Sequence, residues 1–161
     1  MKHPLTIAML FVVVIITTVQ CSVLPFGQAG PPQLKVTEAR SRSATAGANG
    51  VIYFTLVNEG GSPDTLLTVE TDVAIAELHE SQVDEQGVMR MRPLANVEIP
   101  AGDSVSLEPG GKHVMLINLK RDLTPGDKIS LTLNFQQSAP MTIEAEVSAD
   151  GLLSEHNMDN M

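Results

Sequence analysis

A chain of 161 residues is of one-domain length and long enough to bury a sizeable core. Acidic residues outnumber basic ones by 19 to 10, giving a formal net charge of −9, and no basic run occurs, which argues against nucleic acid as a partner. Aromatic residues make up only 3% and Trp is absent, so the stacking platforms of single-strand binding are missing too.

The chain opens with Lys2 and an uncharged, mostly apolar run, LTIAMLFVVVIITTV, which has the form of the n-region and h-region of an export signal. It is shorter than the roughly 20 residues that span a bilayer, so cleavage is expected rather than a permanent anchor. Gly27 and Ala29 place small residues before a mature start at Gly30, which would release the protein into the periplasm. Cys21 offers the alternative of lipoprotein processing, although the TVQ before it lacks the usual small residue. Residues 1–29 are therefore read as a signal peptide or membrane-targeting segment. Cys21 is the only cysteine, so a domain starting at Gly30 has no disulfide, no thiolate for a blue-copper site and no thiol redox chemistry.

From Gln33 the text is strand-like. The runs LKVTEA, VIYFTLVN, DTLLTVET, VAIAELHE, GVMRMR, NVEI, SVSLEP, HVMLINL, KISLTLNF and MTIEAEV are short and rich in β-branched residues, with EGGSPD, PAGD, EPGGK, TPGD and QQSAP as punctuation. In the last two, Ile129, Leu131, Leu133 and Phe135, then Met141, Ile143, Ala145 and Val147, alternate with polar residues, as strands with one wet and one buried face do. Ten such runs with no helical period predict an all-β domain over residues 30–148, an antiparallel sandwich or barrel.

Ligand-type side chains concentrate between His79 and Met115. VDEQG suits a hairpin loop of three to five residues. Centred on Glu85, it makes paired residue numbers sum to 170 and sets His79 opposite Met91, Cβ atoms roughly 4.5–5.5 Å apart. His113 and Met115, two apart in a β-rich run, leave the same strand face and follow the turn Pro109-Gly110-Gly111. Whether the two pairs converge is left open by local pattern. Glu77 shares a strand face with His79, which argues against deep burial of that histidine. Met89 reads as core filler, and Arg90 and Arg92 as a solvated opposite face. Residues 149–161 lose the alternation and read as a flexible tail, which carries His156, Met158 and Met161.

The spacing of His79, eleven residues, Met91, twenty-one residues, His113, one residue, Met115 resembles the signature of the periplasmic copper chaperones of the PCu(A)C family. ELHE, GVMRMRP, EIPAG, LEPGGKHVML and LTPGDKISLTLNF add to the resemblance, which runs from Gln33 to Val147. Many members carry Met after the first His, where this chain has Glu80. The resemblance implies a cupredoxin-like fold in which His79, Met91, His113 and Met115 hold one copper(I). It also implies delivery by ligand exchange to the CuA centre of cytochrome c oxidase, in company with a Sco-type thiol protein. The chemistry agrees, because thioether and imidazole suit a soft ion and a thioether binds without losing a proton. His156, Met158 and Met161 would form an auxiliary site for a second copper. No GxSxG, HExxH or phosphate-binding glycine loop is present, so no catalysis is expected of what reads as a monomeric carrier. The alternative is an exported β-sandwich interaction or assembly module whose Met and His are structural.

Overall fold

The computed structural model describes residues 30–149. The expected leader with Cys21, and the tail with His156, Met158 and Met161, lie outside the described residues. Ten strands follow one another: β1 (Leu34–Arg42), β2 (Gly50–Asn58), β3 (Asp64–Glu70), β4 (Ile75–Val83), β5 (Met89–Pro93), β6 (Val97–Ile99), β7 (Ser104–Leu107), β8 (Lys112–Ile117), β9 (Lys128–Phe135) and β10 (Met141–Ser148). Each coincides with one of the expected runs, and no helix occurs among the described residues.

The strands form one sheet in the order β5-β4-β8-β2-β1-β10-β9-β3-β6, with β7 continuing the β8 side of β2. Pairing is antiparallel except between β1 and β10, which run parallel. The sheet folds on itself as a sandwich, with β3 against β4 and β6 against β7. Period-two alternation supplies the filling: Ile52, Phe54 and Leu56 from β2, Val114 and Leu116 from β8, and Ile129, Leu131 and Leu133 from β9 are all buried. Leu78 enters the same core from β4, so its neighbours Glu77 and His79 must point to the outer face.

A bulge in β1 matters for that outer face. Leu34 to Thr37 pair with Asn58 to Thr55, but Arg40 then pairs with Tyr53, so Glu38 and Ala39 together oppose Phe54. Glu38 takes a left-handed φ of 58° to make the detour. A one-residue slip exchanges the faces of all that follows. Ser41 is consequently turned inward opposite Ile52, its hydroxyl donating to the Val51 carbonyl at 3.0 Å. Arg40 is turned outward, its guanidinium 5.7 Å from the centre of the Tyr53 ring.

Candidate metal centre

Three rungs across β5, β4, β8 and β2 assemble the ligand-type residues on the outer face. In the first, Met91 pairs with Ser81, whose N–H donates to the Gly111 carbonyl at 3.0 Å. In the second, His79 stands between Pro93 and His113. In the third, Met115 stands between Glu77 and Val51. Residues two apart along a strand share a face, so the two histidines occupy the middle rung and the two methionines flank them diagonally. Ser81 has only a small side chain, which leaves open space beside Met91. A cavity of about 470 Å³ opens there, its lining including Arg42, Tyr53, Ser81, Met91, His113 and Met115. His79 does not line this cavity but stands behind His113, its ring centroid 6.0 Å from that of His113.

The register differs from the expected one. Asp84 and Val88 close the hairpin, the Asp84 N–H donating to the Val88 carbonyl at 2.9 Å, so paired numbers sum to 172 and Met91 faces Ser81 rather than His79. Two features fix this loop. Gly87 has a φ of 78°, the left-handed geometry that ends a three-residue hairpin loop, and Asp84 Oδ1 accepts from the N–H groups of Gln86 and Val88. The Arg90 guanidinium, 2.6 Å away, and the Val88 N–H hold the Asp84 carboxyl below its ordinary range. Met89 is not core filler: it is 59% exposed, on the same face as Met91, because β5 is an edge strand whose side chains all stay exposed. Arg90 and Arg92 do form an exposed opposite face, as expected.

Hydrogen bonds set the tautomer of both rings. His113 is buried, and its Nδ1 lies 3.1 Å from the Gly111 carbonyl, which can only accept, so Nδ1 carries the proton and Nε2 is a bare lone pair. His79 Nε2 lies 2.9 Å from Glu77 Oε2, so there Nε2 carries the proton and Nδ1 is bare. That Nδ1 is buried and has no hydrogen-bond partner. A buried acceptor without a partner costs about 1–3 kcal/mol, and a fold that tolerates one points to a ligand-binding role for it. Metal-binding histidines commonly donate their second N–H to a carboxylate or a backbone carbonyl, and this pair has one of each. A ring centroid sits about 3.2 Å from a metal bound at about 2.0 Å, so two rings sharing an ion stand at most about 6.4 Å apart, and the observed pair falls inside that limit.

Among the described residues no cluster of three or more His, Cys, Asp and Glu is placed to hold a metal. The thioethers of Met91 and Met115 share this face with the two imidazoles, and such a donor set suits a soft ion better than a hard one. Half-buried Met115 is anchored mid-strand, whereas Met91 is 58% exposed on the edge. Sequence reasoning missed the part of Glu77: the ELHE motif held the signal, a carboxylate two residues before a histidine on one strand face, but it was read only as a mark of exposure. The Gly111 carbonyl carried no signal that side-chain patterns could reveal.

Comparison with known proteins places the chain. The LpqE-like family, described as "Putative lipoprotein LpqE-like", matches residues 34–147. Among curated proteins, the chain is 29% identical over 105 residues to "Uncharacterized protein RP573" of Rickettsia prowazekii, covering 64% of this chain and 58% of that protein. It is 32% identical over 104 residues to "Putative lipoprotein Lxx21020" of Leifsonia xyli subsp. xyli, covering 63% of each. The match thus spans less than two thirds of either relative. Among solved structures, the "Copper-bound PCuAC domain from PmoF2" is similar in fold, with a TM-score of 0.61 at 22% identity, covering 76% of this chain and 98% of that one. The "Apo PCuAC domain from PmoF1" gives 0.60 at 26% identity, covering 76% and 99%. CuI-DR1885 from Deinococcus radiodurans gives 0.53 at 28% identity, covering 77% and 83%. The architecture is that of PCuAC domains, in keeping with the resemblance seen in the sequence, and the chain belongs to the LpqE-like family.

Proposed function

We propose that this protein is a copper(I) carrier that binds one ion through His79 Nδ1, Met91, His113 Nε2 and Met115 and passes it on by ligand exchange. The observation that carries the reading is the pair of hydrogen bonds that hold the two rings, His79 Nε2 to Glu77 and His113 Nδ1 to the Gly111 carbonyl. Two imidazoles on one rung each present a bare nitrogen, each held by a partner on its other nitrogen, with a methionine on either side. Support comes from CuI-DR1885, a copper(I)-bound structure at 28% identity. Exposure of Met91 suits transfer, since an incoming ligand can displace the outermost thioether first. No substrate chemistry is assigned to the site.

The recipient we propose, on the family resemblance, is the CuA subunit of cytochrome c oxidase, with a Sco-type thiol protein as co-worker. Loss of oxidase activity under copper limitation in cells lacking the protein, restored by added copper, is the expected result. We further propose export to the periplasm. The lipoprotein description of the family and of the Leifsonia relative favours acylation at Cys21 over release at Gly30, and intact-mass measurement on protein from its native host distinguishes them.

The site itself is tested by titrating the purified protein with copper(I) while observing imidazole nitrogens and methionine methyl groups by NMR. At one equivalent, the expected result is saturation of shifts at His79 Nδ1, His113 Nε2 and the methyls of Met91 and Met115. Saturation at other residues contradicts the assignment.

A further inference from the structure

The β4–β5 hairpin leaves an unfinished sheet edge beside the proposed site, and its hydrogen-bond phase can be counted. Asp84 and Val88 form one bonded rung, and the Leu94 N–H donates to the Leu78 carbonyl at 2.8 Å in another. In an antiparallel pair bonded rungs alternate with unbonded ones, so Gln82–Arg90 and Glu80–Arg92 are bonded. Met89 and Met91 therefore direct their N–H and C=O groups away from β4, to an edge that no strand covers among the described residues. Pro93, which has no N–H to offer, falls on an unbonded rung as well.

Side chains around this edge are apolar on one face and cationic on the other. Val83, Met89 and Met91 form the apolar face, and with Val88, which falls on the other face, they make up four of the six exposed large hydrophobic residues among those described. On the opposite face Arg90 is paired with Asp84, while Arg92 makes no ion pair among the described residues, because Glu80 across from it is engaged by Lys112 and Gln82. Strand β5 itself carries two arginines and no carboxylate, on a chain of net charge −9, and Arg92 is left to meet an acidic partner. A second copy fits it poorly: antiparallel self-pairing about Met91 sets Arg90 against the copy's Arg92, and like charges directly opposite are destabilising.

We propose that the β5 edge is the docking strand for an extended segment of the copper-exchanging partner, which adds to the sheet through the main-chain groups of Met89 and Met91. Strand addition of this kind takes affinity from main-chain bonds and specificity from alternate side chains. The geometry then dictates the partner's pattern. The residue opposite Met91 emerges on the face of His79 and His113, within roughly 4.5–5.5 Å of the Met91 Cβ, and is a soft ligand, Met or Cys. The residues on either side of it emerge beside Arg90 and Arg92 and are acidic. Docking thus delivers the incoming ligand to the outermost thioether. The choice of a soft ligand rests on the copper(I) reading of the site, whereas the docking edge itself does not.

The test is amide hydrogen exchange on the copper-free protein with a short synthetic peptide carrying Glu-Met-Glu at its centre. At saturation the Met89 and Met91 amides are expected to slow by about tenfold or more, while those of Arg90 and Arg92, already bonded to β4, change little. A Lys-Met-Lys peptide, or an Arg92→Glu variant with an unchanged denaturation midpoint, should weaken docking about fivefold or more. Unslowed Met89 and Met91 amides, equal binding of the lysine peptide, or slowing that appears without peptide as protein concentration rises each overturn the proposal. Copper(I) titration of the same samples separates the two readings. Copper binding without peptide docking removes the edge and leaves the site, whereas docking without copper binding upholds the edge and removes the site.

Discussion

Replacing Glu77 by alanine isolates the role of the carboxylate behind His79. Glu77 is not one of the proposed ligands, and its Oε2 lies 2.9 Å from His79 Nε2, the ring nitrogen that is not the proposed donor. Its removal frees the ring to turn and to exchange tautomers, so the bare nitrogen is no longer fixed at Nδ1. Losing such an outer partner typically costs 10–100-fold in metal affinity. Because the Glu77 side chain is 47% exposed, water partly replaces it, and the lower end applies, about tenfold or about 1.4 kcal/mol. Glu77→Gln, which keeps an acceptor oxygen, should recover most of the loss. Glu80→Ala serves as the control: Glu80 lies on the opposite strand face and bonds Gln82 and Lys112, so copper(I) affinity should not change. Competition against a copper(I)-specific chromophoric chelator gives the affinities, and urea denaturation should show stability changed by no more than about 0.5 kcal/mol for the exposed Glu77. A folded Glu77→Ala protein that binds copper(I) as tightly as wild type refutes the tautomer argument.

Asp64 is buried and accepts from the N–H groups of Thr65, Gln137 and Ser138 at 2.7, 2.9 and 2.9 Å. Burial pushes its carboxyl up, but bonds from Ser138, Thr65 and Gln137 together outweigh this and hold it below the ordinary value of 3.8. Its contribution is therefore present above that value and lost as pH falls through the lower folded one. Asp64→Asn, which turns an amide NH₂ toward the Ser138 N–H or displaces the other two bonds, should cost about 1–3 kcal/mol at pH 7 and less at pH 3 by urea denaturation, with copper(I) affinity unchanged. Deleting residues 150–161 should lower total copper capacity while preserving the high-affinity site. Unchanged capacity would dispose of the proposed auxiliary role of His156, Met158 and Met161.

The fold was legible because alternation is a local signal: Ile129, Leu131, Leu133 and Phe135 announce their buried face without reference to any other strand. The candidate ligands were legible through spacing and resemblance, and the structure brings all four to one face. Their arrangement was less so. The hairpin register turned on whether the loop centre was residue 85 or 86, a choice made by the left-handed Gly87 and the Asp84 side chain rather than by the hydrophobic pattern. Pairing of His79 with His113 depends on β4 meeting β8 across three intervening strands, a long-range contact that no local period encodes. Met89 was misplaced because alternation shows which face a residue takes, not whether anything covers that face.

Copper(I) affinity of wild type against Met91→Ala and Met115→Ala, measured by chelator competition across neutral and mildly acidic pH, tests the ligand set most directly. Both variants remove a neutral thioether that does not titrate, so each should weaken binding about tenfold or more by a similar factor at every pH. Wild type and both variants should all lose affinity as acid protonates the two imidazoles. Met91→Ala and Met115→Ala proteins that bind copper(I) as tightly as wild type would show that the thioethers are not ligands and that the proposed site is wrong.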